Sequence, residues 1–97
     1  MPLNGWILKL FMQIVFSKRF KKQYNKLPPK LQTQTKNRIE LWSEQPDNPI
    51  LRRHRLEGAL SNFYSINISG DLRALYEVVD DDIYIYEMIG THSQLYG

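Results

Sequence analysis

The feature that most constrains the fold is a change of sequence period in the second half of the chain. Three runs rich in β-branched and aromatic residues follow one another there: "NFYSINI" (62–68), "LRALYEVV" (72–79) and "IYIYEMI" (83–89). Only three residues join each pair, 69–71 and 80–82. Because links this short favour hairpins over crossovers, the three runs are predicted to form an antiparallel meander.

The first half has helical spacing instead. Phe20, Tyr24 and Leu27 recur at i, i+4 and i+7 after Ser17, a suitable N-cap, which predicts a helix over 18–26. "LPPK" ends this helix and starts a second one, which is predicted to stop before Pro46. The second helix is expected to bury one face, formed by Leu31, Thr35, Ile39 and Trp42.

A short β-rich run, "QIVF" (13–16), precedes both helices. The order of elements predicts an α+β fold: an N-terminal strand, then a two-helix hairpin packed on one face of a mainly antiparallel sheet of four to five strands. The other face of the sheet is expected to remain available for a ligand or partner.

The 97 residues suffice for one small domain. Because "MQIVFSKRF" reads like the beginning of a domain, we predict a domain over 12–97 and an upstream extension over 1–11. The apolar start "NGWILKLFMQIVF" is interrupted by Lys9 and Gln13 and is too short to span a bilayer. It also lacks the basic region and cleavage site of a signal peptide, so a cytoplasmic location without a membrane partner is predicted.

The chain has no cysteine and only two histidines. Disulfides, thiolate metal sites and cysteine nucleophiles are therefore excluded, and two histidines alone make a poor zinc site. Asp80, Asp81 and Asp82 are interpreted as a solvated turn, because three consecutive carboxylates converge on one cation with difficulty. No metal and no cofactor are predicted.

The charge is distributed unevenly. Residues 1–60 hold twelve Lys or Arg against four Asp or Glu, whereas residues 61–97 hold one Arg against six Asp or Glu. The asymmetry is typical of a protein with an anionic partner such as nucleic acid, although a solvated basic helix surface gives the same pattern. If RNA is the partner, the candidate contacts are Lys18, Arg19, Lys22, Arg52, Arg53 and Arg55.

Five polar residues of the second half are candidates for catalysis: His54, Asp71, Arg73, His92 and Tyr96. Two histidines and an arginine suit RNA cleavage by the 2′-hydroxyl, which needs a proton acceptor, a proton donor and a cation to stabilise the phosphorane. Each residue also has a structural interpretation. His54 lies in the basic loop "RRHR", Asp71 suits a turn, His92 suits a cap, and Tyr96 suits packing.

These residues carry a family resemblance. Through "FSKRFKKQYNKLPPKLQ", "HRLEG", "DLRALYEV" and above all "IGTHSQLYG", residues 12–97 resemble toxins of the RelE/ParE superfamily of toxin–antitoxin systems, and within it the YafQ-type mRNA interferases. The resemblance implies a metal-independent endoribonuclease that cuts mRNA on the ribosome and is neutralised by an antitoxin protein.

Matched residue by residue, the resemblance implies catalytic roles for His54, Asp71, His92 and Tyr96 and a phosphate-directed role for Arg73. Three positions depart from the pattern. Asn67 stands where YafQ-like toxins have a histidine, Met88 where many members have a second arginine, and Leu72 where an aromatic residue is usual.

Two other functions share the predicted fold. A ParE-like toxin would inhibit DNA gyrase by binding and would not need the histidines. A catalytically weakened member would serve only to bind an antitoxin. The pair His54 and His92 favours the nuclease over both.

Overall fold

The computed structural model describes residues 8–9 and 12–96. The elements in chain order are β1 (Leu8–Lys9), β2 (Met12–Phe16), α1 (Lys18–Asn25), α2 (Pro29–Glu44), β3 (His54–Arg55), β4 (Tyr64–Ser69), β5 (Leu72–Asp80), β6 (Ile83–Thr91) and α3 (His92–Tyr96). Two single 3-10 turns, Pro49–Leu51 and Gly58–Leu60, flank β3. The predicted extension over 1–11 falls almost entirely outside the described residues, and the domain boundary at Met12 stays a prediction.

The strands form one mixed sheet in the order β1-β2-β6-β5-β4-β3. β2 and β6 run parallel, with Gln13 opposite Ile83, and the other neighbouring strands within the described residues run antiparallel. The predicted α+β architecture is confirmed. A two-residue strand at each edge is added to the four longer strands that the sequence predicts.

The main core lies between the helices and one face of the sheet. Strand alternation sends Leu72, Ala74 and Tyr76 of β5 to this side, where they join a cluster that includes Phe20 and Trp42. The Trp42 ring lies 4.8 Å from that of Tyr76, measured between centroids. Aromatic packing of this kind gives a small domain much buried area from few residues.

Helix α1 also covers an edge of the sheet. β2 pairs with β6 only as far as Tyr86, so the next residues of β6 need other partners. Ser17 caps α1 by accepting the Phe20 N–H at 3.0 Å, and its hydroxyl donates to the Glu87 carbonyl at 2.9 Å. Gln23 Oε1 accepts the Ile89 N–H at 2.9 Å. Ser17, the N-cap of α1, and Gln23 within α1 thus replace the missing strand and hold the end of β6.

The second face of the sheet is less open than expected. A smaller apolar cluster forms there around Phe63, Leu75 and Met88, with four partly buried residues packed on it: Leu56, Leu60, Leu95 and Tyr96. Two of the four come from the segment around the second 3-10 turn and two from α3. The segments on either side therefore leave a cleft between them.

Within the described residues, no helix is both long and apolar enough to cross a membrane.

Candidate active site

The C-terminal helix α3 is held by a reciprocal cap that the sequence analysis missed. Thr91 Oγ1 accepts the Gln94 N–H at 3.3 Å, and Gln94 Oε1 accepts the Thr91 N–H at 2.8 Å. This is a capping box, whose sequence signature is Ser or Thr followed three residues later by Glu or Gln. The signature was present in "THSQ" (91–94) and could have revealed the helix.

Gly90 allows α3 to fold back on the sheet. A Cβ atom at this position would lie 3.0 Å from Gln94 Oε1 and 3.3 Å from Gln94 Cβ. Because Gln94 is tied to the Thr91 backbone, it cannot move aside without breaking the cap. The close approach of Gln94 therefore favours glycine at the position before the helix.

The fold brings four of the five predicted catalytic residues to one cleft. The cleft has a volume of about 410 Å³ and is lined by His54, Leu56, Glu57, Leu60, Arg73, His92 and Tyr96. The histidines come from two different elements, His54 from the edge strand β3 and His92 from α3. Arg73 comes from the central strand β5. Asp71, the fifth residue, does not line the cleft.

His54 is oriented by the backbone. Its Nδ1 lies 2.9 Å from the carbonyl oxygen of Arg52. A carbonyl can only accept, so Nδ1 carries a proton, and Nε2 is the ring nitrogen that can accept a proton in the neutral tautomer. Arg52 has a φ of 46°, in the left-handed region that few residues other than glycine adopt. This unusual backbone conformation lies at the carbonyl that holds His54.

Arg73 provides the cation of the cleft. Its Nε is buried and has no hydrogen-bond partner among the described residues. Asn67 of β4 and Gly90 of β6 lie directly opposite it on the two neighbouring strands. A buried donor without a partner is costly, and a guanidinium group binds phosphate oxygens well. The arrangement therefore suits an anion that enters the cleft.

Asp71 and Tyr96 both contact His92. The Asp71 carboxylate accepts the backbone N–H of His92 at 3.3 Å, which ties the turn before β5 to the start of α3. The ring of Tyr96 packs edge-on against the His92 imidazole, with 4.6 Å between centroids. Tyr96 also packs on the apolar cluster beneath the cleft, so the same side chain both contributes to packing and lines the site.

The predicted RNA-binding residues separate into groups. Arg53 and Arg55 lie over the Tyr64 ring, with their guanidinium carbons 5.9 Å and 5.5 Å from its centroid. Arg53 also pairs with Asp47 at 2.5 Å, and Arg55 Nε donates to the Ser61 carbonyl at 2.8 Å. Strand alternation places these two on the opposite face of β3 from His54.

The other four predicted RNA-binding residues are exposed. Arg52 lies in the loop before β3, whereas Lys18, Arg19 and Lys22 lie on α1, in the helical layer behind the sheet. The structure therefore does not bring all six basic residues to one surface.

The three positions that depart from the expected pattern have structural consequences. Met88 is 8% exposed and packs with Phe63 and Leu75 beneath the cleft, so an apolar side chain lies where the resemblance leads us to expect an arginine. Asn67 donates from Nδ2 to the Gly70 carbonyl at 3.0 Å. Leu72 is buried in the main core. Across the part of the chain that the structure describes, no three His, Cys, Asp or Glu side chains are grouped as a metal site would require.

Comparison with known structures supports the fold. The crystal structure of YafQ from E. coli is 19% identical, covers 89% of this chain and 99% of that one, and gives a TM-score of 0.76. YafQ in the E. coli DinJ–YafQ toxin–antitoxin complex is 20% identical over 91% of this chain and 100% of its own, also with a TM-score of 0.76.

A more distant match is found in the RelB–RelE antitoxin–toxin complex of Methanococcus jannaschii. It is 24% identical over 84% of this chain and 94% of that one, with a TM-score of 0.66. A search of curated proteins gives no significant match. The model of one family, the YafQ bacterial toxins of type II toxin–antitoxin systems, matches residues 12–97, and the chain therefore belongs to that family.

Proposed function

We propose that this toxin is an endoribonuclease that cleaves mRNA on the ribosome by attack of a ribose 2′-hydroxyl, without a metal ion. The observation that carries the proposal is the buried, unpartnered Nε of Arg73 in a cleft that also holds two histidines. The cleft thus contains an anion-binding group and two groups able to move protons at neutral pH.

The reaction has one bond-forming and one bond-breaking event. The 2′-oxygen attacks the adjacent phosphorus as its proton is removed, and the bond from phosphorus to the 5′-oxygen breaks as that oxygen is protonated. The products are a 2′,3′-cyclic phosphate and a 5′-hydroxyl. The guanidinium of Arg73 would stabilise the charge that builds up on the phosphorane.

The hydrogen bonds support different roles for the histidines. His54 donates from Nδ1 to the Arg52 carbonyl, so its Nε2 is free to accept the 2′-hydroxyl proton. His92 then acts as the proton donor to the 5′-oxygen. Asp71 is a positioning residue, since it bonds to the His92 backbone and does not line the cleft.

The apolar part of the cleft suits a nucleobase. Leu56, Leu60 and Tyr96 line it together with the polar groups. Single-stranded RNA is commonly bound by unstacking a base against aromatic or apolar side chains, while cations contact its phosphates. A base held against Tyr96 would set the scissile phosphate beside Arg73.

The proposed partners are the ribosome with its mRNA, and a cognate antitoxin. Two structurally similar toxins, those of the DinJ–YafQ and RelB–RelE complexes, are bound to antitoxins. The exposed basic residues of α1, Lys18, Arg19 and Lys22, offer a surface for ribosomal RNA or for an acidic antitoxin segment. The site of action is then the cytoplasm.

The test is induction of the toxin from Met12 in bacteria without its antitoxin, with the 5′ ends of a translated reporter mRNA mapped. In-frame cuts that disappear in the His92→Ala and His54→Ala variants would support the proposal. Lys30→Ala is the matched control, because Lys30 is an exposed cation at the start of α2, in the helical layer behind the sheet.

Two outcomes would contradict the proposal. Growth arrest with intact mRNA and DNA damage signalling would identify a gyrase inhibitor. Unchanged cleavage in both histidine variants would show that the site lies elsewhere.

A further inference from the structure

A second pocket is formed by residues next to those of the cleft. It has a volume of about 450 Å³ and is lined by Pro49, Ile50, Arg52, Asn67 and Gly70. Two connections place it beside the catalytic residues. The Arg52 carbonyl holds His54 Nδ1 at 2.9 Å, and Asn67 lies directly opposite Arg73 in the register of β4 and β5. Directly opposed residues of antiparallel strands are about 5 Å apart between Cα atoms and point to the same face.

Arg52 is the available cation of the "RRHR" run. The guanidinium groups of Arg53 and Arg55 are held by Asp47, by the Ser61 carbonyl and by the Tyr64 ring. Within residues 12–96, the exposed side chain of Arg52 has no acidic partner. Its left-handed backbone allows one residue to direct its carbonyl to His54 while its side chain lines the neighbouring pocket.

Ile50 gives the second pocket an apolar wall. Its side chain is 48% exposed, which makes it one of three large apolar residues left at the surface of the described domain, the others being Val78 and Val79. Pro49 lies next to it in the same 3-10 turn. An apolar wall beside an unpaired cation matches the two parts of a nucleotide, its base and its phosphate.

The Asn67 side chain is held by one hydrogen bond and can form others. One hydrogen of Nδ2 is used by the Gly70 carbonyl, at 3.0 Å. The other hydrogen and the Oδ1 lone pairs remain, which gives one donor and one acceptor side by side. Such an amide can read the edge of a base by two hydrogen bonds.

We propose that this second pocket binds the nucleotide next to the scissile phosphate. The inference rests on the function proposed above and extends it to a second subsite. Arg52 contacts a backbone phosphate, Pro49 and Ile50 pack against the base, and Asn67 selects among bases at that position. The substrate is therefore held by at least two consecutive nucleotides, one in each pocket.

The test compares three variants in a purified translation reaction with a reporter mRNA. Arg52→Gly removes the guanidinium and suits the left-handed backbone, so that His54 keeps its partner. Ile50→Ser removes the apolar wall, and Asn67→Ala removes the amide. Lys30→Ala is the charge-matched control, and His92→Ala confirms that the cuts come from this toxin.

The expected results differ between variants. Arg52→Gly lowers the cleavage rate about tenfold and reduces the slope of log rate against log salt by about 0.7, the value for one phosphate contact on a single strand. Ile50→Ser lowers the rate without changing that slope. Asn67→Ala keeps cleaving but loses the base preference at the position beside the cut.

The test can contradict the second subsite without contradicting the proposed function. If the wild type cleaves and all three variants cut at its rate and with its base preference, the second subsite is wrong and the nuclease stands. If Arg52→Gly cleaves normally but is no longer neutralised by the cognate antitoxin, the pocket binds protein and the inference is also wrong. If the wild type leaves the mRNA intact, both proposals fail.

Discussion

Asp71 and His92 are 21 residues apart in sequence, yet the carboxylate of the first accepts the backbone N–H of the second at 3.3 Å. Asp71 precedes β5 and His92 begins α3, so the contact joins the start of one strand to the end of its neighbour. Leu72 and Thr91, the adjacent residues, face each other across β5 and β6. The hydrogen bond therefore extends the sheet register into the segment that carries a histidine of the site.

Asp71→Ala should reduce mRNA cleavage through misplacement of His92. A typical hydrogen bond contributes about 1 kcal/mol, so a loss of roughly fivefold in rate is expected. Asp71→Asn keeps an acceptor oxygen and should retain most of the activity. Cleavage rates from mapped 5′ ends would measure both. If the Asn variant is as impaired as the Ala variant, then the charge of Asp71 matters and a positioning role is wrong.

Arg73→Met should separate activity from stability. Loss of the cation at the phosphorane should lower cleavage about 100-fold, as when one transition-state donor is removed. The buried Nε has no partner to lose among the described residues, so the free energy of unfolding should stay the same or rise. Urea unfolding of the purified toxin would measure the second effect. A variant that cleaves at the wild-type rate would exclude Arg73 from the chemistry.

Gly90→Ala should displace α3. The added Cβ would meet Gln94 Oε1 at 3.0 Å, and the capping box prevents that side chain from yielding. Loss of the cap is expected to cost about 1 kcal/mol, with a larger proportional loss of cleavage because His92 and Tyr96 move with the helix. Ser93→Ala, on the exposed side of α3, is the control. Thermal unfolding and cleavage should be compared, and equal activity in the two variants would contradict the prediction.

Tyr86 should make the domain sensitive to alkaline pH. Burial raises the pKa of its phenol well above the ordinary value of 10.0. The folded state therefore keeps a proton that the unfolded state loses above pH 10, and stability falls as the pH rises past that point. Below pH 10 both states are protonated, and the contribution is constant.

Tyr86→Phe tests this dependence. The Tyr86 hydroxyl is buried without a hydrogen-bond partner among the described residues, so its removal should leave stability at pH 7 unchanged or raise it by about 1 kcal/mol. The variant should lose less stability than the wild type between pH 9 and 11. Unfolding in urea across this range is the measurement, and equal losses in the two proteins would rule out Tyr86 as the cause. Burial also raises the pKa of Tyr24 and of Tyr76, so these two residues contribute to the loss in the same direction.

The long elements could be predicted because their causes are local. The i, i+4, i+7 spacing of Phe20, Tyr24 and Leu27 agrees with a helix observed over Lys18–Asn25. The two short links of the meander likewise set its antiparallel pairing. The alternation of β5, with Leu72 and Ala74 toward the helices, followed from the period of a strand alone.

The details of the site could not be predicted in the same way. β3 is two residues long and exists because His54 and Arg55 pair with Ser65 and Tyr64 of a distant strand. Without that strand, "RRHR" reads as a uniformly basic loop, whereas the pairing turns two arginines to Tyr64 and the histidine to the cleft. The left-handed φ of Arg52 could not be predicted, because neither glycine nor asparagine, the residues that commonly adopt it, occupies this position. The cap of α3, by contrast, could have been predicted from the capping-box sequence "THSQ" (91–94).

The parallel pairing of β2 with β6 has a consequence for the order of folding. Gln13 and Ile83 are 70 residues apart, and the Ser17 hydroxyl reaches the Glu87 carbonyl over the same separation. The helical hairpin and the meander can form from local contacts, but this pairing must close a loop that contains both, and such distant contacts form slowly. Because Gly90 and Thr91 at the end of β6 pair with Arg73 and Leu72 of β5, the residues of the proposed active site can come together within the meander, and the slow parallel pairing would then add β2 and complete the main core on the other face of the sheet.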